Sequence, residues 1–329
     1  MKHHAKRLIT ITLALTLILS LFSVLSVSAA ENKVRVVVKN ENFSAADGAV
    51  WDGTLIDKWV SLNNDDSMES VLERTVGDNG FEFTVSDYGY ISSVNGLSEF
   101  ANNGNGGWMV SLNDWFPLES SSYYTVEKGL LSDGDEIVMM YTNNWGSDCG
   151  SIYGDLSTTL KSLSVEGATI EEEFSPSNTE YTLIISSAVN EVKVFPEAYN
   201  KNYQVRTYKN ELQAETDGAD IKRGRPIEVS DGDKIIIGVG YPCWPSMNSF
   251  AGESVGTDYT LNVKYVPIKG DLNENGKLDI EDVTIIQRHV AEFSFISEKQ
   301  TAIADYNGDD KIDINDATAI QRVVAEFTV

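Results

Sequence analysis

Residues 271–293 (DLNENGKLDIEDVTIIQRHVAEF) and 305–327 (DYNGDDKIDINDATAIQRVVAEF) decide the fold of the C-terminal part of this chain. The two stretches match at a shift of 34 residues, so the chain contains an internal repeat. Each copy begins with an acidic loop and continues with apolar residues at the spacing of one helix face. The predicted core positions are Val283, Ile286, Val290 and Phe293 in the first copy, and Ala317, Ile320, Val324 and Phe327 in the second.

Both acidic loops have the spacing of a calcium loop. Oxygen-bearing side chains recur at positions 1, 3, 5, 9 and 12, and position 7 offers its main-chain carbonyl, which suits the six to eight hard ligands of Ca²⁺. Gly276 at position 6 allows the tight turn, whereas Asp310 must adopt a left-handed conformation there. We predict two Ca²⁺ sites, whose residues are Asp271, Asn273, Asn275, Lys277, Asp279 and Asp282, and Asp305, Asn307, Asp309, Lys311, Asp313 and Asp316.

A duplicated loop followed by one helix, rather than the two helices of an EF-hand, resembles the type I dockerin over residues 270–327. The resemblance implies an all-α, calcium-binding module that docks an extracellular protein onto a cohesin domain of a scaffold. It also implies that cohesin contacts come from loop positions 10 and 11 and from the following helix. These positions are Ile280, Glu281, Gln287 and Arg288, and Ile314, Asn315, Gln321 and Arg322.

The N-terminus and the charge of the chain indicate where it acts. Residues 1–30 combine a basic start, an apolar run and small residues before Glu31, which predicts a secretory signal peptide; the alternative is an uncleaved membrane anchor. The chain has 50 Asp and Glu against 25 Lys and Arg, a net charge of -25. This acidity disfavours nucleic acid and anionic membranes as partners. We expect a secreted protein that is extracellular or held at a cell surface through a scaffold.

Between the signal peptide and the repeat, the patterns predict a mainly β protein. Residues 31–150 contain an alternating strand at Val34–Val38, a short helix over 67–76 with an Asp66–Glu69 capping box, and a hairpin turning at Asn113–Asp114. The order NGFEF, YISSVNG, GWMVSLN, LSDGDEIVMMYT resembles a bacterial surface domain similar to the C-terminal β domain of transcobalamin. This resemblance implies a small α+β domain and leaves cobalamin binding as an alternative.

Residues 151–266 form the second predicted β domain, and residues 267–329 form the dockerin. Apolar positions in LSTTLKSLSVEG, EYTLII and EVKVFPEA resemble a cadherin-like or immunoglobulin-like β-sandwich of exported bacterial proteins. The linkers GSDCGSIYGD and VPIKG are short and lack the Pro/Ser-rich composition of a long flexible tether.

Six tryptophans supply candidate sugar-binding residues, because aromatic faces stack on pyranose rings and amides satisfy the hydroxyls. Trp108 shares a strand face with Val110 and Leu112, which favours the core, while Trp51 and Trp59 are equally consistent with core or surface. Tryptophans next to turns and asparagines are better candidates, with packing as the alternative. The predicted ligand-binding residues are Trp145, Trp244, Tyr241, Trp115, Asn144 and Asn248.

Catalysis is not expected, because no pair of carboxylates stands out and only one histidine follows the signal peptide. The arrangement resembles starch-adherence proteins of dockerin-based gut bacterial complexes, the cellulosome or amylosome type. It therefore implies a non-catalytic subunit that binds a polysaccharide, with α-glucan ahead of cellulose. The alternatives are a glycoside hydrolase on an unrecognised scaffold, a structural spacer or a protease inhibitor.

Two cysteines, Cys149 and Cys243, lie near Trp145 and beside Trp244. In an exported chain they are candidates for a disulfide, with two free thiols as the alternative. We predict that they approach one another and bring Trp145, Tyr241 and Trp244 to a shared groove between the two β domains.

Overall fold

The computed structural model describes residues 32–86, 89–186, 189–213, 220–241, 247 and 256–326. The protein is mainly β with few helices: among the described residues, the α-helices other than α1 lie in the C-terminal repeat, and short 3-10 helices span Ala45–Asp47 and Ser147–Cys149. The predicted signal peptide lies outside the described residues. The described α-helices are α1 (Met68–Asp78), α2 (Ile280–Val290), α3 (Glu298–Ala304) and α4 (Ile314–Glu326). The described strands are β1 (Lys33–Asn40), β2 (Gly53–Ser61), β3 (Phe83–Val85), β4 (Ile91–Val94), β5 (Leu97–Ser98), β6 (Gly107–Leu112), β7 (Glu136–Thr142), β8 (Leu160–Glu166), β9 (Thr169–Ile170), β10 (Glu180–Ile185), β11 (Glu191–Ala198), β12 (Val205–Lys209), β13 (Pro226–Glu228), β14 (Lys234–Val239) and β15 (Thr257–Tyr265).

The first β unit, residues 32–142, contains a four-stranded sheet in the order β2-β1-β7-β6 and a small sheet β3-β4-β5. β1 is antiparallel to β2 and parallel to β7. The burial predicted for Val34, Val36 and Val38 is confirmed, but Val37, predicted for the opposite face, is only 8% exposed, so the strand does not alternate cleanly. Val34, Val36 and Val38 share one hydrophobic core with the apolar face of α1. The predicted turn is also present, since Asn113 and Asp114 both have positive φ, as a type I′ hairpin turn requires.

The start of α1 differs from the prediction. Ser67, not Asp66, is the N-cap, and its hydroxyl accepts the amide N–H of Ser70, whose own hydroxyl accepts the N–H of Ser67. Asp66 instead accepts two hydrogen bonds from the Arg74 guanidinium, at 2.6 and 2.7 Å, and one from the Asn63 amide. The capping-box pattern did not predict the Asp66–Arg74 pair, because Arg74 lies eight residues away and its side chain reaches back along the helix.

The Asp66–Arg74 pair predicts acid sensitivity. Burial would raise the pKa of Asp66, but the Arg74 guanidinium and the Asn63 amide outweigh it and lower the pKa. Stability from this carboxylate is therefore present above the unfolded-state pKa of about 3.9 and is lost as pH falls through the lower folded-state value. Asp66→Asn should lower the free energy of unfolding by about 1–3 kcal/mol near neutral pH. It should also reduce the loss of stability as the pH falls, measured by urea unfolding as a function of pH. If the variant and the parent lost the same stability on acidification, this role of Asp66 would be contradicted.

The second β unit, residues 160–265, has two sheets that share one core. One sheet has the order β12-β14-β15-β10-β9 and the other β13-β11-β8. Within the five-stranded sheet β10 and β15 are parallel. The core draws apolar side chains from both sheets, including Leu163, Tyr181, Val194, Ile237 and Leu261. Burial on one face of each sheet explains the period-two pattern of these strands.

The two β units contact each other through polar groups of the loop that follows β11. The Lys201 ammonium lies 2.6 Å from Asp114. The Lys201 N–H donates to the Gly150 carbonyl, and its own carbonyl accepts the N–H of Phe116 at 2.7 Å. A second contact comes from Lys222, whose ammonium lies 3.2 Å from Asp135, a residue that is almost fully buried. These bonds fix the loop of the second unit on the surface of the first.

The repeat forms a third core in which α2 and α4 pack together. Val283, Ile286, Ala317 and Ile320 are fully buried, as the periodicity predicts. Val324 is half-buried, and Phe327 lies outside the described residues.

The prediction is wrong for Val290 and Phe293, which are 40% and 81% exposed. Helix α2 ends at Val290, and Glu292 adopts a left-handed conformation (φ 59°) that turns the chain before Phe293 can reach the core. None of the described helices is both long enough and apolar enough to span a bilayer.

Candidate calcium loops, docking helices and aromatic cleft

The two acidic loops fold in the same way. In each loop the position 1 carboxylate accepts the main-chain amides of positions 5 and 6: Asp271 from Asn275 and Gly276, and Asp305 from Asp309 and Asp310. The position 3 side-chain oxygen accepts the position 5 amide, and the position 5 oxygen accepts the position 7 amide. These bonds curl alternate side chains toward one centre, as a calcium loop requires.

Position 6 is left-handed in both loops. Gly276 has φ 81° and Asp310 has φ 65°, so the conformation predicted for Asp310 is confirmed. Position 4 is also left-handed in both, at Glu274 (φ 57°) and Gly308 (φ 79°). Aspartate tolerates this region better than most residues, which explains how the second loop closes without glycine at position 6.

The carboxylates at position 12 connect each loop to its helix. Asp282 and Asp316 are fully buried at the first turns of α2 and α4. Each accepts the amide of position 3 through one oxygen and the amide of position 9 through the other. Burial raises the pKa of Asp282. A buried carboxylate in an acidic loop is costly without a counter-ion, so the donor set fits a bound cation.

The predicted ligand sets combine carboxylates with neutral oxygens. Among the described residues, no group of three or more His, Cys, Asp or Glu side chains is arranged to hold a metal ion. The predicted neutral ligands are the side-chain amide oxygens of Asn273, Asn275 and Asn307 and the main-chain carbonyls of Lys277 and Lys311. Neutral oxygen ligands of this kind suit Ca²⁺ rather than a transition metal.

The residues predicted to bind cohesin lie on the outer faces of the repeat. Ile280 and Ile314, at the start of α2 and α4, are 57% and 51% exposed, although apolar. The other six predicted residues are exposed too: Glu281, Gln287, Arg288, Asn315, Gln321 and Arg322. The packing of α2 on α4 buries Val283 and Ala317 and leaves these side chains in solvent, where a partner can reach them.

Two acidic loops with the geometry of calcium loops, each followed by one helix and packed through a small shared core, form a duplicated module. Residues 269–325 match the family model described as Dockerin type I domain. The C-terminal part of the chain is therefore a type I dockerin, a module that binds Ca²⁺ and docks to a cohesin on a scaffold. No curated protein matches the chain in a sequence comparison.

An apolar cleft of about 430 Å³ is lined by residues of the first β unit and its following loop, and by Met247, which comes after β14 in the chain. Three exposed aromatic residues line it: Trp145 (68% exposed), Phe100 (52%) and Tyr90 (41%). We call the cleft with these three rings the aromatic cleft. The buried ring of Trp108 and the side chain of Met109 also line it.

Two of these rings are held in an uncommon backbone conformation. Phe100 has φ 60° and Trp145 has φ 52°, which is unusual for bulky side chains. Each is fixed by the same short loop, because the Phe100 N–H donates to the Gly106 carbonyl at 2.9 Å and the Trp145 N–H donates to the Asn105 carbonyl at 3.2 Å. Strain of this kind persists where the surrounding structure enforces it, typically at ligand sites.

The third ring is positioned by close backbone contact. The Tyr90 hydroxyl accepts the Trp108 N–H at 3.0 Å. A Cβ at Gly107 would lie 2.3 Å from that hydroxyl oxygen, so only glycine allows the approach. Sequence reasoning missed Tyr90 and Phe100 as cleft residues; the signal that could have found them is the Asn/Gly-rich loop ANNGNGG that follows Phe100.

The structure separates the predicted ligand-binding residues. Trp145 is on the rim of the aromatic cleft, and the adjacent Asn144 is exposed. Trp115 is only 6% exposed, packs edge-to-face on Tyr124 at 6.0 Å and does not line the aromatic cleft; it lines a separate pocket between the two β units, together with residues such as Lys222 and Arg223. Tyr241 is half-buried and is not among the described residues that line the cleft. Trp244 and Asn248 lie outside the described residues.

Cys149 is half-buried, and its Sγ accepts a hydrogen bond from Asn42 Nδ2 at 3.2 Å. Burial raises the pKa of the thiol to about 12, so it is protonated and a poor nucleophile at neutral pH. Cys243 lies outside the described residues, and the approach of the two sulfur atoms stays a prediction.

Proposed function

We propose that this protein is a secreted, non-catalytic, polysaccharide-binding subunit, with α-glucan as its ligand, docked by its dockerin to a cohesin scaffold. The observation that carries the proposal is the pair Phe100 and Trp145, two exposed aromatic residues that line one apolar cleft and whose backbone N–H groups are hydrogen-bonded to the loop at Asn105 and Gly106. Preorganised aromatic faces bind sugar rings without the entropic cost of ordering a mobile loop.

Polar groups beside the cleft suit a neutral glycan. Asn102 donates to the side-chain oxygen of Asn143 at 3.0 Å, and Asn144 is exposed next to Trp145. Amides both donate and accept, so they match sugar hydroxyls without requiring charge on the ligand.

The proposed organisation follows the sequence analysis. Residues 31–150 form a domain like the C-terminal β domain of transcobalamin, residues 151–266 a cadherin-like sandwich and residues 267–329 the dockerin. The dockerin holds two calcium ions, one in each loop, and Ile280, Ile314 and the exposed residues beside them contact cohesin. As a whole the protein acts like the starch-adherence subunits that the arrangement resembles.

One experiment tests the proposal against its alternatives. The calcium-loaded full chain is incubated with insoluble starch, cellulose and xylan, and both retained protein and released reducing sugar are measured. Retention on starch without sugar release is expected. Release of sugar would indicate a glycoside hydrolase, and no retention on any glycan would favour a structural spacer, a protease inhibitor or a cobalamin-binding protein.

Trp145→Ala should weaken starch retention at least about tenfold, because a single exposed aromatic anchor commonly contributes more than 1.4 kcal/mol. Trp59→Ala is the matched control, since Trp59 is 50% exposed but does not line the cleft. Depletion isotherms on granular starch measure both. Equal retention of Trp145→Ala and the parent would remove the aromatic cleft from the proposal.

A further inference from the structure

A pocket of about 220 Å³ lies between the two β units, beside the pocket that Trp115 lines. The first unit contributes residues of β1, β2 and β7, and the second unit contributes β11 and the loop before β13. Three arginines and one carboxylate are among its lining residues, although the whole chain has a net charge of -25. We call it the arginine pocket, and it is defined by Arg35, Trp59, Glu136, Phe195, Arg223 and Arg225.

Two of the three arginines already have carboxylate partners. Arg35 donates to Asp57 through Nε and one Nη, both at 2.9 Å, and also contacts Glu136. The Arg225 guanidinium lies 2.9 Å from the Asp133 carboxylate of the first unit. These pairs neutralise two of the three positive charges that line the pocket.

Arg223 differs from the other two. It is exposed, its Nε donates to the Pro196 carbonyl at 3.3 Å, and its guanidinium carbon lies 5.5 Å from the centre of the Phe195 ring. Among the described residues, Arg223 forms no ion pair with a carboxylate, and its two Nη groups make no hydrogen bond. The guanidinium group is therefore oriented by the ring and by Nε, while its other donors are open to a ligand.

The loop that carries Arg223 is fixed to β11. The N–H of Gly224 donates to the Val194 carbonyl at 3.0 Å, and the N–H of Arg225 donates to the Lys222 carbonyl at 3.0 Å. Gly224 has φ 71°, and a Cβ there would lie 2.7 Å from the Phe195 ring, so the close approach requires glycine. The donors of Arg223 are thus held in place before a ligand arrives, which lowers the entropic cost of binding.

We propose that the arginine pocket binds one uronic acid residue, a sugar that bears a carboxylate. The planar fork of Arg223 matches the two oxygens of a carboxylate, and the Trp59 and Phe195 side chains supply apolar surface for the sugar ring. The volume is below that of pockets for larger ligands, so it suits a single sugar residue. This inference goes beyond the proposed function, because α-glucan has no carboxylate and the pocket takes no part in starch retention.

The net charge of the chain selects between two sources of uronic acid. At -25 the protein repels a polyanion such as a galacturonate chain, whereas a single carboxylate on an otherwise neutral polysaccharide meets little repulsion. The expected ligand is therefore an isolated uronic acid side chain, such as the glucuronic acid of a substituted xylan.

The test uses the full calcium-loaded chain at low salt and three ligands: xylotriose, xylotriose bearing one glucuronic acid, and trigalacturonate. In isothermal titration calorimetry, the parent should bind the glucuronic acid derivative at least about tenfold more tightly than the other two. Arg223→Gln should bind this derivative about tenfold more weakly than the parent, and Arg223→Lys, which keeps the charge without the fork, should recover only part of the loss. Lys264→Gln is the matched control, because it also removes one exposed positive charge from the second unit and does not line the pocket.

The outcomes separate the pocket from the aromatic cleft. Equal affinity of the parent for xylotriose with and without glucuronic acid, or of Arg223→Gln and the parent for the acidic ligand, would overturn the proposal. Competition by acetate as strong as that by the uronic acid would overturn the sugar specificity, and tighter binding of trigalacturonate would overturn the isolated side chain. Arg223→Gln should retain starch like the parent, so a failure of starch binding is seen separately. Thermal melting checks that each variant is folded.

Discussion

Excess chelator is expected to unfold the dockerin and abolish cohesin binding while leaving both β units folded. Residues 271–329 contain 13 Asp and Glu against 5 Lys and Arg, and Asp282 and Asp316 are fully buried. Without the cation these carboxylates repel one another, and the small third core offers little compensation. Free Ca²⁺ at 1,000 times its dissociation constant adds about 4 kcal/mol to stability, and chelation removes it.

Circular dichroism and a cohesin pull-down measure this effect in the full chain. Asp271→Ala and Asp305→Ala should each weaken calcium binding, because each position 1 carboxylate also accepts the amides that close its loop. Glu292→Gln is the control, an exposed acidic residue outside both loops. Helical signal and cohesin binding that persist in excess chelator would contradict calcium-dependent folding.

Trp108→Ala is expected to destabilise the first β unit by about 3–5 kcal/mol, the range for truncating a buried large aromatic residue. Trp108 is 3% exposed, stacks on Trp51 at 5.8 Å and contacts Tyr141 edge-to-face at 5.3 Å. Its Nε1–H donates to the Leu97 carbonyl at 3.0 Å, so truncation also leaves a buried acceptor unsatisfied.

Urea unfolding followed by near-ultraviolet circular dichroism measures the loss. The control is again Trp59→Ala, which should cost less than Trp108→Ala because half of Trp59 is already in solvent and its ring faces the Arg225 guanidinium at 5.9 Å rather than the buried core. A cost below about 1 kcal/mol for Trp108→Ala would mean that the core collapses around the gap. Trp108 also lines the aromatic cleft, so the same variant should lose glycan retention through the displaced strand β6.

The calcium loops show how far the sequence alone reaches. Their ligand atoms come from one short contiguous segment, and the turn is set by the residue at position 6, so spacing predicts Asp271–Asp282 and Asp305–Asp316 as functional units. The alternation of Val34, Val36 and Val38 likewise predicts their burial on one face, because a side chain's face in a strand depends on its neighbours in sequence. Local chemistry determines these features.

The start of α1 and the end of α2 mark the limit of local reasoning. Asp66 has the residue type of an N-cap, yet its pairing with Arg74 leaves the cap to Ser67. Phe293 has the spacing of a core residue, yet the left-handed Glu292 directs the chain away from the core. In both cases a competing interaction, invisible in the periodicity, decided the outcome.

Trp115 and Trp145 have similar sequence surroundings, each beside a turn and polar residues, and only tertiary structure distinguishes them. Trp115 is buried against Tyr124, whereas Trp145 is held outward by a hydrogen bond to the carbonyl of Asn105, 40 residues earlier. The sequence by itself determined the calcium-binding, docking end of this protein, because its ligands lie together along the chain. The aromatic cleft was decided by tertiary structure, because the hydrogen bond from Trp145 to Asn105 brings segments 40 residues apart to one cleft.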